Sequence, residues 1–275
     1  MKLNHPLSVT VDRNGDIVVI DNNCCGSNKI NKTSYRLVNF TFKGEVNFQV
    51  CLDHLRPVVD ATVDRHNNYY VAGTTLVRKY RREELLLQFT PHYNANSMKL
   101  PSISCVRFNL DREEIFLLDQ VNSSIQAFDG ESGRFLYIID LSESIESPSK
   151  FHIKDKQTLV VSNLSADSIL VCQLHKNSII HTKRFGSTGI GQGEFVSPSS
   201  ITSDHSGNIL VCDSGNHRVC VLNCHGEYRT CIGQLGGGLR SFKSPMDLHL
   251  HTQQSDGSVI LLVADKLNNR VLVYF

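Results

Sequence analysis

Along most of the chain, short runs rich in Val, Ile, Leu, Tyr and Phe alternate with polar residues and are broken every few positions by Gly, Asn, Asp or Ser. A period of two bounded by such breakers predicts short β-strands and tight turns. The pattern is cleanest late in the chain. There a strand over Ser200 to Asp204 is followed by the turn His205-Ser206-Gly207, a strand from Asn208 to Asp213 that closes on an acid, and a loop from Ser214 to His217. A third strand (Arg218 to Asn223), a turn at His225-Gly226 and a fourth strand (Glu227 to Ile232) complete the unit. Four such strands make one twisted antiparallel sheet, which cannot bury both faces alone and must stack on neighbours.

The same unit recurs. Six of the seven prolines, Pro6, Pro57, Pro101, Pro148, Pro198 and Pro245, each open one copy, at a spacing that points to a propeller or solenoid. The acid closing the second strand returns as Asp21, Asp119, Asp213 and Asp265, while the second unit has Ala72-Gly73 and the fourth Ser162-Asn163. Three positions before the proline stands an apolar residue, Leu3, Met98, Ile145, Phe195 or Phe242, with His54 and its neighbour Leu55 in the second unit. These residues are expected to tuck each connecting loop between adjacent sheets, which makes Phe195 and Phe242 core rather than ligand platforms.

With these landmarks in place the chain resembles an NHL-repeat domain, a six-bladed β-propeller. The resemblance rests on Asp213-Ser-Gly-Asn-His-Arg-Val219, on its echo Asp265-Lys-Leu-Asn-Asn-Arg-Val271, and on the Gly-rich stretch from Phe185 to Phe195, similar to the family's inter-blade linker. It is strong in units five and six, fair in one and three and weak in two and four; unit one departs by a long insertion, Asn22 to Lys32. The expected fold is all-β: one domain over residues 1–275, six blades of four antiparallel strands starting near residues 6, 57, 101, 148, 198 and 245. The last blade is expected to lack its outer strand, because the chain stops at Phe275 and only Met1 to His5 precede the first proline. In the family the N-terminus commonly lends that strand, so the reading expects a segment of a longer protein with an exposed edge along Val271 to Phe275.

Composition narrows the function. No run of about eighteen apolar residues predicts a membrane span, and the opening residues lack the apolar stretch of a signal peptide, so a cytoplasmic protein is expected. Nine cysteines, an odd number without paired Cys-x-x-Cys spacing, are expected to be free thiols filling the core. The run Gly186 to Gly193 has neither the Lys-Ser/Thr nor the helix of a phosphate loop, and there is no Gly-x-Ser-x-Gly or His-Glu-x-x-His. The domain is therefore expected to be non-enzymatic and to need no cofactor. A minor alternative is a lyase-like propeller holding a channel metal on His152, His249 and His251, by resemblance to the six-bladed amidating lyases.

Charge favours binding. The chain is near neutral, with 28 Lys and Arg against 27 Asp and Glu. If first strands line the channel, the loops before each proline and after each second strand share one face. That face collects Lys29, Lys32, Arg56, Lys99, Lys150, Arg218, Arg240, Lys243, Lys266 and Arg270 against Asp53, Glu143, Glu146, Asp167 and Glu194. Tyr93, His54, His217, Asn268 and Asn269 are its candidates for stacking or base reading. Such asymmetry predicts an anionic partner. By resemblance to tripartite-motif NHL propellers, RNA, single-stranded or in a stem-loop, comes narrowly ahead of a protein recruited for a ubiquitin-ligase-type parent. For Arg218 and Arg270 a purely structural bridge to the strand-closing aspartate is equally open. A second cluster, Arg78-Lys79-Tyr80-Arg81-Arg82, is expected on an exposed blade flank or rim. The domain itself is expected to be a monomer.

Overall fold

A computed structural model describes residues 2–22, 34–52, 54–55, 57–93, 99–253 and 257–275. Blade 1 comprises β1 (Ser8–Val11), β2 (Ile17–Asp21), β3 (Arg36–Phe40) and β4 (Val46–Cys51). Blade 2 holds β5 (Val58–Val63), β6 (Asn68–Gly73), β7 (Val77–Arg81) and β8 (Glu84–Phe89). Blade 3 holds β9 (Ile103–Asn109), β10 (Glu114–Asp119), β11 (Ser124–Asp129) and β12 (Phe135–Asp140). Blade 4 holds β13 (Pro148–Asp155), β14 (Thr158–Asn163), β15 (Ser168–His175) and β16 (Ser178–Phe185). Blade 5 holds β17 (Pro198–Ser203), β18 (Ile209–Asp213), β19 (Arg218–Leu222) and β20 (Tyr228–Ile232). Blade 6 has three strands, β21 (Pro245–Thr252), β22 (Val259–Asp265) and β23 (Arg270–Tyr274). Within every blade the strands pair in chain order and antiparallel, as tight connections require.

Six apolar clusters lie among the described residues, one at each blade-to-blade junction. Leu37, Val58 and Tyr69 join blades 1 and 2, and Tyr70, Val106 and Phe128 join blades 2 and 3. Phe116 and Phe151 belong to the next, Phe195 and Ile209 to the fourth, Phe242 and Leu248 to the fifth. The ring closes through Val9, Val19, Ile260 and Leu262, between blades 1 and 6. Closure is thus by face-to-face packing of sheets, and it does not depend on a fourth strand in blade 6. The edge of β23 is half-buried along its length, and only Phe275 stands fully out.

The linker residues behave as staples. Phe195 and Phe242 are completely buried, and Ile145 and Leu55 nearly so. Each Phe ring lies against a glycine of its own linker, Gly186 or Gly233, at φ +88° and +90°. Parallel bridges Thr188 to Phe195 and Leu235 to Phe242 fold each linker back on itself.

Four cysteines, Cys105, Cys172, Cys212 and Cys220, are buried free thiols, and burial pushes Cys105, Cys172 and Cys220 up to about 12, which keeps them unreactive. Cys224 is free but exposed, and Cys51 is disulfide-bonded; neither is core filler. The Arg78 to Arg82 cluster is not a fully exposed flank either. Lys79 and Tyr80 are buried, because Lys79 spans the groove to blade 3: its Nζ donates to the Gly130 carbonyl (3.0 Å) and lies over the Tyr70 ring.

Candidate functional site

First strands line the central channel, so the loops linking blades and those joining second to third strands emerge together on one face. On this linker face the recurring Asp is a hub. Asp213 accepts from the Val196 backbone N–H (2.7 Å), from Asn216 Nδ2 (2.9 Å) and from Arg218 Nε (2.8 Å). Arg218 goes on to donate to the carbonyls of Ile190, Gly191 and Glu194. Blade 6 repeats this arrangement: Asp265 holds the Lys243 N–H, Asn268 and Arg270, and Arg270 donates to Gly237, Gly238 and Ser241. In blade 1, Asp21 pairs with Arg36 and accepts from the Asn4 N–H. A guanidinium fork suits this task because it reaches a carboxylate and several carbonyls in one plane.

Several expected site residues are therefore committed to the scaffold. Arg218, Arg270 and Asn268 clasp linkers, the arrangement the structural alternative expects for the two arginines. His217 accepts the Ser244 N–H on Nδ1 (3.0 Å). Lys150 is not on the face at all: it is buried in the channel, 2.6 Å from Asp60. Arg56, with Lys29, Lys32 and Asp53, lies outside the described residues. What remains exposed on the face is Tyr93, Lys99, Arg240 and Lys243, with Lys266 half-buried. Arg240, Lys243 and Lys266 have no side-chain hydrogen bond or ion pair among the described residues, and all three border the linker between blades 5 and 6, where the Leu267 N–H bonds the Lys243 carbonyl. The acids of the same face are partly used internally: Asp167 accepts from Thr188 and the Ser197 N–H, and Glu194 from the Gly191 N–H.

Sequence reasoning missed the aliphatic side chains that the linkers and loops hold outward. Leu239 is 80% exposed, Ile190 79% and Leu100 76%, and Leu235, Leu267 and Val121 join them on the same face. Ile190, Leu235 and Leu239 occur on linkers whose backbone is pinned by an Arg clasp, and their side chains point away from the scaffold. An apolar residue inside a Gly-rich linker was the available signal.

The channel holds a second constellation, set by register. Thr10, Thr62, Arg107, His152, Thr202 and His249, one from each blade, face cross-strand partners Val18, Tyr70, Phe116, Val160, Leu210 and Leu262, which stand three places before the end of their second strands. All six line a cavity of about 410 Å³ that also reaches Asp12, Arg13, Leu110, Ser203 and Thr252 at the opposite, turn-bearing end. Nearer the linker face, Arg107 Nη1 meets Asp60 (2.6 Å), Lys150 meets the same carboxylate, and Asp247 accepts from Ser200 Oγ (2.6 Å) and the Val9 N–H. Burial opposes ionisation of Asp60, yet Arg107 and Lys150 hold its carboxyl well below the usual range. Burial, reinforced by the Arg107 charge, holds His152 and His249 down at about 3, so both rings are neutral. His251, two places further along the same strand, also lines the cavity and lies near Phe42 (6.1 Å). Among the described residues no three His, Cys, Asp or Glu side chains are grouped to hold a metal ion.

Residues 195–222, from the stapling Phe195 through β19, match the family described as NHL repeat. The chain is a six-bladed β-propeller that carries an NHL repeat. Two curated proteins show weak homology to it: Protein brain tumor of Drosophila melanogaster, 28% identical over 64 residues (23% of this chain and 6% of that protein), and B-box type zinc finger protein ncl-1 of Caenorhabditis elegans, 32% identical over 57 residues (21% of this chain and 7% of that protein). The matched stretches thus span under a tenth of either relative. Solved structures share the fold of this propeller. A protein of unknown function from Bacteroides thetaiotaomicron superposes with TM-score 0.70 at 15% identity, covering 99% of this chain and 70% of that one. Virginiamycin B lyase from Staphylococcus aureus gives 0.63 at 12%, covering 100% and 87%. Among the described residues no helix is long and apolar enough to cross a membrane.

Proposed function

We propose that this propeller is a non-enzymatic interaction module that docks a protein partner on its linker face. The observation that carries the reading is the set of outward aliphatic side chains at one end of the ring: Ile190, Leu235 and Leu239 on arginine-clasped linkers, with Leu100 and Leu267 beside them. Scattered exposed apolar residues need no explanation, whereas several gathered on one face support a contact surface. The cations beside them, Arg240, Lys243 and Lys266, favour a partner with an acidic rim. A segment of a larger regulator, possessing other modules, suits such a domain.

RNA is the second reading, and the same three unpaired cations favour it. It comes second because the scaffold consumes Arg218, Arg270 and Lys150, which leaves few groups to neutralise phosphates. A photo-crosslinker at Leu239 in cells, combined with binding to random single-stranded RNA, tests both. Protein adducts lost in an Ile190→Glu, Leu235→Glu variant support docking. RNA binding that weakens with salt at a slope of about 0.7 per phosphate contact, and is abolished by Arg240→Glu, Lys243→Glu and Lys266→Glu together, transfers the function to RNA.

A further inference from the structure

The channel is plugged toward the linker face and hollow toward the turn face. The plug is a balanced set of buried charges, Asp60 and Asp247 against Arg107 and Lys150, whose carboxylate oxygens all face partners on the plug side. Arg107 is the exception in this set. Its Nη1 is used by Asp60 and the Val106 carbonyl, but Nη2 reaches only Asp247 at 3.9 Å and Nε has no partner, while the side chain stays 18% exposed along the cavity wall. Two neutral imidazoles stand at the same level, each steadied from one side by a threonine: His152 Nδ1 lies 3.4 Å from Thr202 Oγ1, and His249 Nδ1 lies 3.5 Å from Thr10 Oγ1. Neither ring makes another hydrogen bond among the described residues. A hydroxyl donating to Nδ1 leaves the proton on Nε2. Thr62 accepts the Phe108 N–H on its Oγ1 (3.2 Å), which leaves its own hydroxyl proton to give.

From this ring of donors we infer that the cavity is a binding site for a small oxyanion, the carboxylate or phosphate group of a soluble molecule, held by Arg107, His152, His249 and Thr62 and entering from the turn-bearing face. The size fits: about 410 Å³ is within the ordinary range for small-molecule sites. The electrostatics fit as well, since the free N–H groups of a guanidinium recessed in a protein-walled channel attract an anion more strongly than the same groups at the surface. The paired acids do not oppose entry, because each is already matched by a cation and by hydroxyl or backbone donors. Asp12, the nearest further acid along the wall, is engaged by Tyr69 and Asn39. Nothing in this inference depends on the linker face, and the two sites open at opposite ends of the propeller.

The test follows the imidazole nitrogens of His152 and His249 by NMR while inorganic phosphate is added to the chain, with acetate as a parallel arm. Expected is a saturable shift of both rings with one anion or with both, the more effective anion giving the ligand's head group. Binding should weaken by about tenfold in His249→Gln and in His152→Gln, a loss typical of one charge-assisted or well-aligned donor. Thr62→Val provides a variant that leaves the plug and both rings untouched and should weaken it to a lesser degree. No saturable shift with either anion overturns the inference. Saturable shifts of the Thr62 and Phe108 backbone amides with the same midpoint in the wild-type chain and in the His152→Gln, His249→Gln double variant, an adventitious ion only, overturn it equally.

Discussion

At the scale of single residues, the domain separates two populations of arginine and lysine that look alike in sequence. Arg218 spends its whole guanidinium on Asp213 and three linker carbonyls, whereas Arg240, in the next linker, has no acceptor among the described residues. Replacing Arg218 by Ala strands a buried carboxylate and is expected to cost about 2 to 4 kcal/mol in urea unfolding, a cost that Lys does not rescue because it lacks the fork. Arg240→Glu or Lys243→Glu should change stability by less than about 0.5 kcal/mol. The Asp-x-x-Asn-x-Arg spacing was legible in the sequence, and so was the possibility that Arg218 and Arg270 are structural. Lys150 was not legible as a buried group. It lies two residues after a repeat proline, where the other blades have Ser8, Ser200 and Asp247, and only assembly of the ring brings Asp60 of a distant blade to its ammonium.

At the scale of elements, the linkers combine a glycine at positive φ with a phenylalanine whose ring occupies the space of the missing side chain. A methyl group at Gly233 would collide with Phe242 and also strain the backbone, so Gly233→Ala is expected to destabilise by about 1 to 3 kcal/mol. Phe242→Ala, which empties a fully buried site at the junction of blades 5 and 6, should cost about 3 to 5 kcal/mol in the same measurement. Combining them should cost less than the sum, since both act on one contact. Spacing alone identified the staples Ile145, Phe195 and Phe242, and the partly buried Leu3; Met98 lies outside the described residues. Spacing could not show that the clasped linkers then hold Ile190, Leu235 and Leu239 outward, because a side chain's exposure depends on where the next blade lies.

For the whole molecule, closure of the ring places two histidines from different blades in a channel that keeps them neutral. Their depressed titration has a definite sign. Between the ordinary value of 6.5 and about 3 the unfolded chain takes up protons that the folded rings refuse, so stability should fall as pH drops through this window. Loss of the Asp60 ion pairs adds a separate fall at still lower pH, because its carboxyl is held below the ordinary 3.8. Urea midpoints measured across the range should show the first fall flattened in the His152→Gln, His249→Gln double variant and the second unchanged. By itself the sequence determined the number of blades, their strand order, the staples and the three-stranded last blade, because these follow from local periodicity and turn chemistry repeated along the chain. Only the tertiary structure decided which cations are free, where Lys150 goes, and that Arg107, His152 and His249 share one level of the channel. Those facts depend on distances between blades dozens of residues apart, and a pattern with period two is silent about what stands across the axis.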